Sequence, residues 1–398
     1  MNVVGVAAEF NPFHLGHALH LRETRALLGE DAAIVCAMSG DFVQRGEAAA
    51  FSKFTRAEAA CRAAVDLVIE LPLPWSLASA EGFARGAVSL LSRIGCTHLS
   101  FGSEAGELAP LQAMASLLEN ESFNASVKER MRSDPSLSYA AARQQLACLH
   151  AGETARILEQ PNNILAVEYL KAIRALRSGM IPVTVPRTGS AHDGEGGELA
   201  SASELRKRLH AGMDIASQIP PEAYAVYARE ESAGRGVPDP ALLEAAVLSR
   251  LRNLPEDGFD RIPDAGSGLG RRLCRAAGEE PDLDSLCAAV KSKRYALSRV
   301  RRMVFCAALG IRQGMADGLP PYARVLAANA RGCEILRRAG KESRLLLVTK
   351  PASVRDADDG ILRCFALGAA AHDLFVLGYP DVQSRRGGED WRTGPVIV

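Results

Sequence analysis

Four apolar runs that do not alternate, each ending in a polar, Pro- or Gly-containing segment, narrow most strongly what this chain can fold into. Residues 3–8 lead into Glu9-Phe10-Asn11-Pro12, and residues 32–38 into Ser39-Gly40-Asp41. Residues 66–71 are stopped by Pro72 and Pro74, and residues 97–101 by Gly102-Ser103-Glu104. An unbroken apolar run reads as a strand covered on both faces. Helical patterns, notably 81–93, fill the gaps. Strands alternating with helices predict a doubly wound parallel sheet, and such sheets bind ligands beyond the carboxyl ends of their strands. Those ends are where the chain becomes polar.

At 398 residues the chain is long enough for two domains. The segment 190–199, SAHDGEGGEL, has no periodicity and reads as a loop over the site, a domain boundary, or both. The division expected is therefore residues 1–190 as the parallel-sheet part that carries the site and residues 191–398 as a mainly helical region with a small α/β end. Helices are expected at 204–211, 240–251, 283–309 and 360–377, a further segment spans 322–338, and 344–349 is strand-like. A formal net charge of zero leaves any nucleic-acid site to a local patch. No run reaches the ~18 apolar residues of a membrane span. Nothing resembles a secretory leader, and nine scattered cysteines suit a reducing compartment, so a cytoplasmic location is expected.

The sharpest local signal follows the first strand: Asn11-Pro12-Phe13-His14-Leu15-Gly16-His17. A helix beginning there offers free N–H groups and the positive end of its dipole, Gly16 permits close approach, and two imidazoles can donate to phosphate oxygens. Two histidines three apart with no third ligand do not make a zinc site, and no metal site is expected.

The run AAEFNPFHLGH resembles the HxGH nucleotidyltransferase superfamily, whose Rossmann-type sheet agrees with the pattern above. MSGDFVQRGE, DLVIELP, FGSE, QPNNILAVEY and ASASELRKRL together resemble, more closely, the bacterial tRNA(Met) cytidine acetate ligase family. KRYALSRVRRMVF and PPYARVLAANARG extend the resemblance into the second half. It implies an enzyme that activates acetate with ATP and acetylates the N4 amine of the wobble cytidine in elongator tRNA(Met). It also implies an ATP-binding stretch of Ala7, Ala8, Glu9, Phe10, Asn11, Pro12, Phe13, His14, Leu15, Gly16, His17, Ala18, Leu19 and His20, with His14 and His17 catalytic. Gly102, Asn162 (or Asn163) and Arg187 are the further ATP contacts implied.

Read as residues alone, these positions keep second meanings. Gly102 suits an ordinary turn, Asn162 a helix cap, and Arg187 a solvated surface site. Ser201, Ser203 and Arg206 are candidate phosphate ligands, and a serine there also suits an N-cap. Lys53 and Arg56 are candidate cationic contacts to phosphate or RNA. Mg2+ is expected to accompany ATP, held mainly by phosphates and water. The densest basic cluster, Lys291, Lys293, Arg294, Arg299, Arg301 and Arg302 with Tyr295 on a helix over 291–303, is the candidate tRNA surface. Arg324, Arg331, Arg337, Arg338 and Lys341 add a second basic stretch. Two other readings stand: a small-molecule adenylyltransferase, and an RNA-binding protein with a vestigial nucleotide site.

Overall fold

A computed structural model describes residues 2–187, 199–266 and 268–398. The segment 190–199, apart from Leu199, lies outside them. Among the described residues ten strands form: β1 (Val3–Ala8), β2 (Ala33–Ser39), β3 (Phe42–Val43), β4 (Glu47–Ala48), β5 (Leu67–Leu71), β6 (His98–Ser103), β7 (Ile181–Pro186), β8 (Tyr322–Ala328), β9 (Leu346–Val348) and β10 (Val396–Ile397). Eight make one sheet in the order β10-β8-β5-β2-β1-β6-β7, with β9 also on β8, while β3 and β4 form a separate hairpin.

The run from β5 to β7 is parallel throughout. Its alternate residues enter two different cores, which explains the unbroken apolar runs. Val3 packs with Phe83, Val88 and Leu91 on one face. Val4 and Val6 pack with Leu21, Ala57 and Phe54 on the other. The order reverses between β2 and β6 around β1, so β1 and β6 border the switch point where such sheets open a crevice.

The division expected at 190/191 does not separate two sheets. β8 pairs antiparallel with β5, and β9 and β10 pair parallel with β8, so the small α/β end completes the first half's sheet. The segment 322–338 resolves into β8 and the helix Ala330–Glu342, which Asn329 caps by accepting from the Gly332 N–H. The predicted 283–309 helix is two helices, Leu283–Val290 and Leu297–Leu309, with a Ser292–Tyr295 bridge in the turn between them. The helical region has its own core, in which Leu251, Leu273, Met303 and Phe375 bury Phe42 and Leu73 of the first half.

Candidate functional site: a histidine pair at a helix start

The chain leaves β1 through Phe10, whose positive φ of 45° is unusual for a bulky residue. Its ring is buried and meets Phe13 and His17 edge-on at 4.9 and 5.1 Å. Tyr227, more than two hundred residues away in sequence, accepts a 2.9 Å hydrogen bond from the Phe13 N–H and stacks on Phe51. The Asn11 side chain accepts from the Ala50 N–H at 2.7 Å. The loop is thus pinned from three sides before the helix Leu15–Leu28 begins.

His14 is the N-cap of that helix. Its Nδ1 accepts from the Gly16 N–H at 3.0 Å, and the His17 Nδ1 accepts from the His14 N–H at 3.3 Å. The two rings lie 3.9 Å apart, centre to centre. Gly16 makes room for the ring: an added Cβ would lie 2.8 Å from the His14 Cε1. Burial, then the charges of Arg187 and Arg206, push the His14 pKa down to about 4. Burial, then His14 and Arg187, push His17 well below its ordinary value. Burial and Arg187 bring His20 to about 4. Near neutral pH these imidazoles are uncharged. With Nδ1 accepting, the proton of His14 and of His17 resides on Nε2, so each ring has one N–H to offer.

Other predicted residues converge on the same point. Arg187 follows β7, and its N–H donates to the Ser103 carbonyl at 2.8 Å. Its side chain crosses Gly102, where an added Cβ would lie 2.8 Å from the arginine Cγ. The space that Gly102 opens at the end of β6 is therefore occupied by Arg187. Arg206 donates to the Asn11 carbonyl at 3.0 Å and to the Ser203 hydroxyl at 3.2 Å, and pairs with Glu47 at 2.8 Å. Ser201 caps the helix Ala202–His210 by accepting from the Glu204 N–H.

Asn162 is not a cap, since Gln160 occupies that position on the helix Pro161–Ala175. Its amide donates to Glu104 at 2.6 Å, beside the end of β6. Asn163 is fully buried and holds the Ala105 N–H and Gln160. Of the pair, Asn162 keeps solvent access.

Several basic residues are not where the sequence suggested. Lys53 is buried and bonded to Glu70 at 2.9 Å and to Asp390 at 2.8 Å. Arg56 is fully buried and donates to the carbonyls of Glu9, Ser39, Gly40 and Phe51. Arg324 is buried against Asp390 at 2.7 Å. None of the three can meet a phosphate, and the second basic stretch is not one surface, because Arg331 reaches Asp31 at the opposite ends of the strands. In the main cluster, Lys291, Lys293, Arg294 and Tyr295 precede the helix rather than belong to it. Arg294 and Arg299 flank the Tyr295 ring at 5.7 and 4.9 Å. Arg302 is largely buried and leans on Asp264, and Arg301 faces Asp284, each at 3.6 Å. Arg299 is held by Asp264 as well, donating to its carbonyl at 3.0 Å, so Lys291, Lys293 and Arg294 are the outward cations.

Glu9 adds a titratable carboxyl beside the loop, a role its place in the motif did not signal. Burial raises its carboxyl against the Gln44 N–H bond, which lowers it. Among the described residues, no group of three or more His, Cys, Asp or Glu side chains is gathered to hold a metal ion, and no helix is long and apolar enough to cross a membrane.

The family model described as HIGH Nucleotidyl Transferase matches residues 1–390. The tRNA(Met) cytidine acetate ligase of Syntrophomonas wolfei is 36% identical over 414 residues, spanning 100% of this chain and 99% of that protein. That of Acetivibrio thermocellus is 34% identical, with both chains spanned in full at 100%. The crystal structure of Thermotoga maritima TmcAL bound with alpha-thio ATP superposes with a TM-score of 0.92 at 29% identity, covering 100% of both chains.

Proposed function

Because this chain belongs to the tRNA(Met) cytidine acetate ligases of the HIGH nucleotidyltransferase family, we propose that it joins acetate to the N4 amine of the wobble cytidine of elongator tRNA(Met), at the expense of ATP. The observation that carries the site assignment is the tautomer-fixed pair His14 and His17 at a helix start, with Arg187 and Arg206 beside it.

In the first step an acetate oxygen attacks the α-phosphorus of ATP, the bond to the pyrophosphate oxygen breaks, and acetyl-adenylate and pyrophosphate result. The negative charge that builds on the phosphates is met by the Nε2–H groups, the positive dipole end of the helix Leu15–Leu28, and the Arg187 guanidinium. Mg2+ would ride on the phosphates and water. Asn162, bonded to Glu104 beyond β6, is the candidate contact to the nucleoside. In the second step N4 attacks the acetyl carbon, the bond to AMP breaks, and the N4 proton passes to solvent. Lys291, Lys293 and Arg294 are the candidate tRNA contacts.

Acetate-dependent exchange of labelled pyrophosphate into ATP tests the first step, and incorporation of labelled acetate into tRNA tests the second. AMP transfer to a phosphorylated metabolite without acetate would indicate the small-molecule adenylyltransferase instead. Tight tRNA binding without ATP turnover would indicate a vestigial site.

A further inference from the structure

The hairpin of β3 and β4 stands between the nucleotide site and the basic face, and its turn touches both. Toward the nucleotide site, the Gln44 N–H donates to a Glu9 carboxylate oxygen at 3.0 Å, and Glu47 pairs with Arg206 at 2.8 Å. Toward the helical region, the Phe42 ring meets Phe305 at 5.3 Å and Phe375 at 6.4 Å. Gly46, with φ of +76°, lies so close to the start of the helix Leu297–Leu309 that an added Cβ would sit 2.5 Å from the Arg301 carbonyl carbon and the Arg302 nitrogen. Buried on both flanks, the hairpin exposes Arg45 at its tip. Among the described residues Arg45 has no carboxylate partner within 4.0 Å, while its charge still acts on Glu9.

An RNA base can reach a recessed reacting carbon only when it is unstacked and turned inward, which brings the flanking backbone to the rim of the site. The rim between the basic face and His14 is this turn. A guanidinium there matches a phosphate with two parallel N–H bonds.

We propose that the Gln44-Arg45-Gly46 turn is the threshold over which the acceptor RNA enters, and that Arg45 grips the backbone phosphate beside the target cytidine. The proposal rests on the ligase reading above and names the residue that hands RNA from the basic face to the acetyl-adenylate.

The test compares Arg45→Ala and Arg45→Lys with wild type in two assays, acetate-dependent ATP–pyrophosphate exchange and acetyl transfer to tRNA. Exchange is expected at the wild-type rate in both variants, which also reports on folding. For Arg45→Ala, kcat/KM for tRNA should fall about 10- to 100-fold, the factor carried by one charge-assisted hydrogen bond. Arg45→Lys should recover part of the loss, and the salt dependence of tRNA binding should become shallower in the alanine variant by about 0.7 of a log unit per decade. Wild-type transfer by Arg45→Ala would overturn the proposal. So would a parallel fall in exchange, which would assign Arg45 to the nucleotide. A wild-type chain without acetate-dependent exchange would bring down the ligase reading itself, a result distinct from either.

Discussion

Two glycines of the site open space for neighbouring side chains. Gly16 makes room for the His14 ring and Gly102 for the Arg187 side chain. Gly102→Ala is therefore expected to displace Arg187 while leaving β6 paired, raising the KM for ATP about 10-fold with an unchanged unfolding midpoint, as read by exchange kinetics and thermal melting. His14→Ala or His17→Ala removes an N–H donor and half of the reciprocal cap. Exchange should fall about 100- to 1,000-fold while tRNA affinity stays near wild type, measured by filter binding. The HxGH residues were legible in the sequence because their neighbours are local: a strand before, a helix after, and a ring-to-backbone bond spanning two residues. Tyr227 was not, since nothing in its own helix shows that its hydroxyl meets the Phe13 N–H.

Among the elements, β8 and the tail after residue 380 are the ones that turn two halves into one body. Arg324 of β8 donates to the Asp390 and Thr393 carbonyls, and Asp390 accepts from Lys53 at 2.8 Å beneath the carboxyl ends of β2 and β5. In sequence these cations read as candidate surface contacts, because composition carries no sign of a carboxylate 337 residues away. β1, β2, β5 and β6 could be read directly, since burial on both faces leaves an unbroken apolar run. β8 could not be separated from the helix after it, because Asn329 alone marks the junction. A buried ion cluster is costly to break from one side, because the remaining charges keep their desolvation penalty and lose a partner. Asp390→Ala leaves the two cations Lys53 and Arg324 to share Glu70 alone, so denaturant unfolding should show a loss of about 3–5 kcal/mol. A conserved midpoint would mean that the tail contributes nothing to the fold.

Across the whole molecule, the histidines set opposing pH arms on stability. His14 and His20 stay neutral down to about 4 in the fold against an ordinary 6.5. Their contribution is fully present above 6.5 and is lost as the pH falls toward 4. At His372 burial acts to lower the pKa, but Asp41 at 2.8 Å, Glu389 and Asp390 outweigh it and raise the value to about 10. That contribution is fully present below 6.5 and is lost as the pH rises through 10. The thermal midpoint should accordingly be highest between the two arms. The deficit of His372→Gln relative to wild type should shrink as the pH is raised from 6.5 to 10. The central claim, that ATP phosphates lie against the start of the helix Leu15–Leu28, is tested most directly by crystals grown with a non-hydrolysable ATP analogue. The account predicts phosphate oxygens within about 3 Å of the Nε2 atoms of His14 and His17, with Arg187 closing over them. Phosphates bound away from both rings, with the helix start facing only water, would contradict it.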